Sequence, residues 1–213
     1  MHYIVNKHII ESELAAKSYK QPNKHILKYI TQLPKYKKIL DYGCGRLRYE
    51  IPLSEHADEI FAVDSEEQIS RIIEFEQTND IVSQCGCNVN LCSIGSSTWK
   101  KQKYDLIFCT NVLSAIPFEE ERIKLLKNAK KVLNKRGHVF ISVQYRNSYF
   151  SEYSNRDDTF AYKDGWMIKR TSGKCYFYAL LKAEYIIDLC KKVGLKNCNV
   201  TKKDGSCFIE ARV

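Results

Sequence analysis

The stretch KILDYGCGRLRYEIPLSEHADEIFAVD, residues 38–64, decides the fold. An apolar run leads into the turn Asp41-Tyr42-Gly43-Cys44-Gly45, and a second apolar run ends at Asp64. This order predicts a strand, a glycine turn, a helix and a second strand, because glycine lets the backbone turn sharply and approach a ligand with no Cβ in the way. A carboxylate at the end of the second strand is suited to accept hydrogen bonds from both hydroxyls of a ribose. The stretch therefore predicts half of a nucleotide-binding sheet.

The glycine turn departs from the dinucleotide-binding fingerprint, because Leu47 and Arg48 follow Arg46 and Arg48 stands where its third glycine would be. A pyrophosphate requires a glycine-rich helix N-terminus, whereas an acidic residue ahead of two glycines suits a ligand that has an ammonium group and no phosphate. In these residues the chain resembles the class I methyltransferases that depend on S-adenosylmethionine (SAM). The resemblance implies that SAM is the cofactor and that Asp41, Gly43, Gly45 and Asp64 bind it. The alternative is a strand, turn and helix that bind nothing, which the glycine pair and the distant carboxylate together disfavour.

The rest of the chain alternates strand-like and helix-like patterns. Strand patterns cover residues 88–94, 104–113 and 137–145, and helical patterns cover residues 65–77, 118–133 and 179–193. Two last strand patterns, 199–202 and 206–212, flank Asp204-Gly205, which is a strong β-hairpin signal. The resemblance implies that these elements form one α/β domain over residues 1–213. Its core would be a seven-stranded Rossmann-like methyltransferase sheet with helices on both faces and a terminal antiparallel hairpin.

Two segments lie outside that skeleton. Residues 1–36 are expected to form a helical cap, with helices at 8–19 and 23–32 separated by Pro22. In families of this fold such a cap often covers the cofactor, so Tyr19 is a candidate contact for the methionine end of SAM. Residues 146–178 form an insertion before the last helix that is rich in aromatic and charged residues. We expect this insertion to cover the substrate pocket at the carboxyl ends of the strands.

The resemblance extends the cofactor site to Ser65, Ser93 and Asn111, which follow the second, third and fourth strands of the predicted sheet. Many class I methyltransferases have an acidic residue after the third strand that binds the adenine amino group. Ser93 offers only an uncharged acceptor at that place. Trp99, slightly further on, either packs on the adenine edge or belongs to the core.

No residue stands out as the catalytic base. Tyr145, Arg146, Asp164 and Trp166 are the candidates that the topology places near the acceptor, and His138 is expected to be structural. The sequence after the fourth strand, Asn111-Val112-Leu113-Ser114, lacks the N-P-P-Y or D-P-P-Y run with which many enzymes methylate base amino groups. A small-molecule acceptor, methylated on oxygen, nitrogen or carbon, is therefore favoured.

The net charge of +9 leaves a nucleic-acid methyltransferase as the alternative, because basic surfaces attract phosphate backbones. The basic clusters at 35–38, 100–103, 127–136 and 191–203 fall on predicted helix ends and turns, where lysine is an ordinary solvated choice. A third hypothesis is a SAM-binding scaffold without activity, which would explain the missing acidic residue at Ser93.

Nine cysteines are spread over 213 residues, of which 44% are hydrophobic. Cys44, Cys109 and Cys190 lie in apolar patterns typical of buried free thiols, so we expect a reducing cytoplasm. No apolar run approaches the ~20 residues that a membrane span needs, so we expect no membrane span. The spacing of Cys85, Cys87 and Cys92 hints at metal, but a zinc site normally needs a fourth ligand. We therefore expect no metal.

Overall fold

In the computed structural model, which describes residues 2–75, 77–146 and 152–213, the strands form two sheets. The larger sheet contains seven of them and the smaller sheet five. In chain order the strands are β1 (His2–Val5), β2 (His8–Glu11), β3 (Tyr36–Tyr42), β4 (Ala57–Asp64), β5 (Asn88–Ser93), β6 (Tyr104–Thr110), β7 (Leu133–Gln144), β8 (Thr159–Tyr162), β9 (Gly165–Lys169), β10 (Cys175–Ala179), β11 (Lys196–Lys203) and β12 (Ser206–Arg212).

The larger sheet has the order β11-β12-β7-β6-β3-β4-β5. The five strands from β7 to β5 are parallel, and β12 runs antiparallel to both of its neighbours. The β11–β12 hairpin turns at Asp204-Gly205, as the sequence predicts. The seven-stranded Rossmann-like methyltransferase sheet is thus confirmed, and the expected third strand lies at its edge.

Seven α-helices connect the strands in the described part of the chain. They are α1 (Lys24–Ile30), α2 (Glu50–Ser54), α3 (Glu66–Ile73), α4 (Gln77–Gln84), α5 (Ser97–Lys100), α6 (Glu119–Val132) and α7 (Ala183–Lys192). Asn23 caps α1 by accepting backbone N–H groups, and Ser65 caps α3 in the same way. The helical pattern of residues 65–77 ends earlier than predicted, at Ile73, and a separate helix follows.

The helices cover both faces of the larger sheet. Successive residues of a strand point to opposite faces, so Ile39 packs with α1 and α2, whereas Leu40 packs in the cluster that holds α6 and α7. The same alternation divides Leu106 from Ile107 in the neighbouring strand β6. The expected arrangement of helices on both faces is therefore confirmed. None of the helices in the described ranges combines the length and apolar character that a bilayer crossing requires.

The N-terminal segment corrects the expectation of a helical cap over residues 1–36. Residues 2–11 form the antiparallel β1–β2 hairpin, and only α1 matches the predicted helix at 23–32. The hairpin turns at Asn6 and Lys7, both in the left-handed region with φ of 47° and 67°. A two-residue turn of this kind matches the twist of paired strands. The predicted helix at 8–19 is wrong because its apolar residues belong to β2 and to a short 3₁₀ helix, Ser12–Ala15.

The smaller sheet joins this hairpin to the insertion at 146–178. Its order is β1-β2-β10-β9-β8, and Ile10 pairs with Cys175 where the two segments meet. Tyr3, Val5 and Phe177 are buried in the same core cluster as Tyr42 of β3. The smaller sheet therefore packs against the carboxyl-terminal edge of the larger one. Two aromatic residues of the insertion, Tyr149 and Phe150, lie outside the described residues.

Candidate active site

The glycine turn after β3 is held against the next strand. The N–H groups of Gly43 and Cys44 donate hydrogen bonds to the carbonyl of Val63, at 2.7 and 3.2 Å. Gly43 has a φ of +93°, and a Cβ built on it would clash with the side chain of Val112. A larger residue is excluded there by both space and backbone conformation. The turn therefore packs tightly on the loop that follows β6.

Asp64 ends β4 beside this turn. Its Oδ2 accepts the backbone N–H of Gly45 at 2.9 Å, and its Oδ1 accepts that of Ser65 at 2.7 Å. Burial raises the pKa of Asp64, while these two N–H groups favour its ionised form and oppose the rise. A carboxylate has about four lone-pair sites, so Asp64 retains acceptor capacity for ligand hydroxyls.

A cleft of about 840 Å³, including the solvent at its mouth, opens above the turn and Asp64. The 3₁₀ helix and the residues after it, Ala16 and Lys17, form part of its wall. A Cβ on Gly45 would lie 3.4 Å from the Cβ of Ala16, so this segment closely faces the glycine turn. The remaining walls come from residues in or near Tyr3, β3, β4, β6 and α6 and are mostly apolar, including Val63, Ile94, Val112, Ala115, Ile116 and Leu125.

The structure brings together five of the predicted cofactor residues. These residues line the cleft: Gly43, Gly45, Asp64, Ser65 and Asn111. Asn111 is in the left-handed region with a φ of +59°, and its N–H donates to the carbonyl of Ser142.

The other three predicted cofactor residues lie outside the cleft lining. Asp41 is buried beneath the turn. Ser93 ends β5 one residue before Ile94, which does line the cleft. The Tyr19 hydroxyl donates to Oε1 of Gln77 at 3.4 Å. Its side chain packs against the core cluster that contains Cys44 and Leu47. Trp99 is fully buried in the core with its ring centroid 5.2 Å from that of Tyr42, so it belongs to the core.

Asp41 shares its buried position with Glu50 of α2. Both side chains are almost inaccessible to solvent, and burial together with their mutual repulsion raises the pKa of Asp41 well above its usual value. Burial likewise raises the pKa of Glu50 to about 7, against the hydrogen bonds that favour its charged form. Two carboxylates in one dry site cannot both ionise cheaply, so the pair holds a proton at neutral pH. Glu50 was not among the sequence candidates because a helix glutamate is ordinarily solvated.

The four candidate catalytic residues are not part of the described cleft lining. Asp164 forms a two-point ion pair with Arg122, at 2.5 and 3.2 Å. Trp166 packs against Tyr153 in a separate buried cluster. Tyr145 lies beneath the ammonium of Lys202, and Arg146 is exposed.

The structure also shows the surroundings of His138 and the state of the cysteines. His138 is buried and its Nε2 lies 3.1 Å from the Tyr29 hydroxyl, and burial lowers its pKa to about 4. The cysteines of the chain are free thiols. Among the described residues, one group has metal-ligand spacing: the ligand atoms of His2, Glu13 and Glu67 lie within 4.8 Å of one another.

Sequence reasoning missed the residues that the N-terminal segment contributes to the cleft. Glu13 and Lys17 reach it because the β1–β2 hairpin positions the 3₁₀ helix over the turn. Arg46 and Arg48 also line it. Both arginines closely follow Gly45 in the sequence, and this position could have identified them as candidates for the site.

These features fit SAM. A Cβ-free turn allows close approach, an acceptor carboxylate suits the ribose, and apolar walls suit the adenine. When bound, SAM supplies an activated methyl group on its sulfonium. The fold and the site together define a class I SAM-dependent methyltransferase.

Comparison with known proteins agrees with this class. A family model described as a methyltransferase domain matches residues 14–200, and the chain belongs to that family. It is 32% identical over 205 residues to the protein named "Uncharacterized protein YmfD" of Escherichia coli (strain K12), which covers 94% of this chain and 90% of that protein. It is 26% identical over 168 residues to a ubiquinone biosynthesis O-methyltransferase of Coxiella burnetii (strain Dugway 5J108-111). That match covers 78% of this chain but only 58% of the relative.

A solved structure has the same fold. The crystal structure of an S-adenosylmethionine-dependent methyltransferase from Clostridium acetobutylicum ATCC 824 superimposes with a TM-score of 0.64 at 16% identity, covering 94% of each chain. The family match, together with this shared fold, makes the chain an enzyme of the SAM-dependent methyltransferase class.

Proposed function

We propose that this enzyme methylates a small-molecule acceptor and not a nucleic acid. The observation that carries the proposal is the position of its basic residues relative to the cleft. The cleft lies at the carboxyl ends of the parallel strands, where ligands bind in open α/β sheets. Three of the four basic clusters lie at the opposite edge.

The first residues of β3, β6 and β7 show where these three clusters lie. The cluster 35–38 surrounds the start of β3, the cluster 100–103 precedes β6, and the cluster 127–136 covers the last turns of α6 and the start of β7. Because β3, β6 and β7 are parallel, their starts share the amino-terminal edge of the sheet. A nucleic acid that followed these lysines would pass far from the methyl donor.

Several of these charges also have partners inside the protein. Lys38 forms an ion pair with Glu59 at 3.1 Å. In the fourth cluster, 191–203, Lys192 pairs with Glu119 at 2.6 Å and Lys202 with Glu184 at 3.3 Å. Such pairs reduce the charge that is available to a phosphate backbone.

The enclosure of the cleft supports the same proposal. The N-terminal 3₁₀ helix on one side and the loop with Ala115 and Ile116 on the other restrict access to it. An acceptor held between these walls would be aligned and shielded from water. Methyl transfer depends mainly on that alignment.

The likeness to the Coxiella O-methyltransferase favours oxygen as the methylated atom. In this proposal Asp64 and the glycine turn fix the cofactor, and the apolar walls orient the acceptor oxygen. No step requires Tyr145, Arg146, Asp164 or Trp166 to contact the acceptor.

The test uses SAM labelled in its methyl group. The protein is incubated separately with a metabolite extract below about 3 kDa, with total RNA and with genomic DNA, and the label in each fraction is counted. We expect label in the metabolite fraction only. Label in RNA or DNA would contradict the proposal, and SAM binding without transfer to any fraction would favour a non-catalytic scaffold.

A further inference from the structure

Three cationic side chains line the cleft: Lys17, Arg46 and Arg48. Across the described ranges, no carboxylate forms an ion pair with any of them. The cleft therefore holds positive charge that the protein itself does not neutralise by direct contact.

Arg48 is the most constrained of the three. Its Nε is buried and has no hydrogen-bond partner among the described residues, and its guanidinium lies 5.6 Å from the centroid of the Tyr49 ring. A buried donor without a partner is costly, so such a group usually awaits a ligand or an ordered water. Arg48 therefore has a donor to offer to a bound molecule.

The charges that face Arg48 come from several elements. The buried Asp41 and Glu50 are close enough for its charge to act on them, although neither accepts a hydrogen bond from it. Tyr178 of β10 is also within reach of its charge. Because the acid pair retains a proton, it offers Arg48 a single negative charge.

Lys17 adds a second positive charge beside Arg48. Partial burial and then the repulsion from Arg48 lower the pKa of the Lys17 ammonium. Two like charges held close without an anion between them destabilise the free protein, and an anion placed there would relieve the repulsion.

The cleft also contains acidic residues. Glu13 and Asp64 line it, and Asp64 belongs to the cofactor half of the site. SAM carries one carboxylate against a sulfonium and an ammonium, so it brings net positive charge. Lys17 and Arg48 form no ion pair in the described ranges, and the Nε of Arg48 has no partner there, so an anion on a second ligand would complement them.

We propose that Arg48 and Lys17 form a subsite for an anionic oxygen group, a carboxylate or a phosphate, on the methyl acceptor. The inference rests on the proposed small-molecule function and narrows its substrate class. An Arg and Lys pair recognises both anions, because the guanidinium presents a planar fork and the ammonium a point charge.

The test measures anion binding to the protein loaded with S-adenosylhomocysteine (SAH). Butyrate and propyl phosphate are titrated as probes by calorimetry, with butyramide as the neutral match for butyrate. We expect either or both anions to bind and butyramide not to bind. Stronger binding of one anion identifies the acceptor group.

Variants assign the binding to the two side chains. Arg48→Gln and Lys17→Gln are each expected to weaken anion binding about tenfold or more, since each removes a charge-assisted hydrogen bond. The matched controls are Arg136→Gln and Lys20→Gln, because Arg136 lies at the opposite edge of the sheet and Lys20 outside the cleft lining. They should leave anion binding unchanged. Lys17 is a solvent-exposed residue whose ammonium end is partly buried, so its variant is expected to fold and tests the proposal even if Arg48→Gln does not fold.

The competing role for these cations is to hold the carboxylate of the cofactor. In that case Arg48→Gln and Lys17→Gln would weaken SAH binding and spare 5′-methylthioadenosine, which lacks the amino-acid group, and this result would overturn the inference. Wild-type protein that binds SAH but neither anion would also overturn it and leave the proposed function intact. Wild-type protein that fails to bind SAH would contradict the proposed function itself.

Discussion

The side chain of Val112 occupies the space that a Cβ on Gly43 would need. Gly43 follows the first strand of the nucleotide-binding half, β3, and Val112 belongs to the loop after β6. Both residues line the cleft, so this contact joins two of its walls. A substitution at Gly43 therefore disturbs both walls.

We predict that Gly43→Ala lowers the free energy of unfolding by about 3 kcal/mol, because it adds a steric clash to the cost of a side chain at positive φ. Gly173→Ala is the matched control, since Gly173 also has a positive φ, of +80°, but open space around its Cβ position. It should cost only about 1 kcal/mol. Urea unfolding measures both values, and Val112→Ala should recover part of the loss at Gly43. Equal losses for the two glycines would show that Val112 does not restrict the turn.

Arg122 connects the loop after β6 to the insertion. Its guanidinium donates to the carbonyls of Leu113 and Ile116 and pairs with Asp164, and only 2% of its side chain is exposed. We predict that Asp164→Asn lowers the free energy of unfolding by about 2 kcal/mol, because a buried guanidinium loses its counter-charge. Asp157→Asn, an exposed site in the same insertion, should change it by less than about 0.5 kcal/mol. Chemical denaturation compares the two variants. Similarly small losses of stability in both would mean that the Arg122–Asp164 ion pair contributes little to the free energy of unfolding.

The Asp41 and Glu50 pair makes stability depend on pH. Because burial raises the pKa of Glu50 from 4.5 to about 7, the folded state binds a proton that the unfolded state has released. The contribution of Glu50 to stability is therefore complete below about pH 4.5 and is lost as the pH rises through 7. We predict that the free energy of unfolding of Glu50→Gln, relative to that of wild type, is about 2 kcal/mol higher at pH 8 than at pH 5.

Glu55→Gln is the control for this experiment, because Glu55 is exposed at the end of the same helix. Its difference from wild type should be the same at both pH values. A Glu50→Gln variant whose difference from wild type is also constant would mean that Glu50 has an ordinary pKa.

The larger sheet was predictable because its signals are local. The run from Ile39 to Asp64 contains both strands and the turn between them, and Asp204-Gly205 specifies the last hairpin by itself. Leu47, one residue before the position of the missing third glycine, also shapes the turn. Its φ of +53° is the conformation that glycine adopts readily, and its side chain is buried in the core beside α3. Packing against α3 thus compensates for the backbone strain.

The smaller sheet was not predictable because its pairing is not local. Ile10 meets Cys175 across most of the chain, and nothing in the pattern of residues 8–19 reveals that partner. Periodicity alone cannot choose between a helix and a strand for so short an apolar run. The same contact brings Glu13 and Lys17 to the cleft, so their contribution to the site was hidden with it.

We infer that the cleft binds SAM through Asp64 and the glycine turn. The most direct measurement is calorimetric titration of SAM into wild-type protein, Asp64→Ala and Asp58→Ala, the last being an exposed carboxylate at the other end of the same strand. We predict that wild type and Asp58→Ala bind SAM equally, and that Asp64→Ala binds it more weakly by about 1.5–3 kcal/mol, because charge-assisted hydrogen bonds to the ribose are lost. Equal affinity in all three proteins, or no binding to wild type, would contradict the claim.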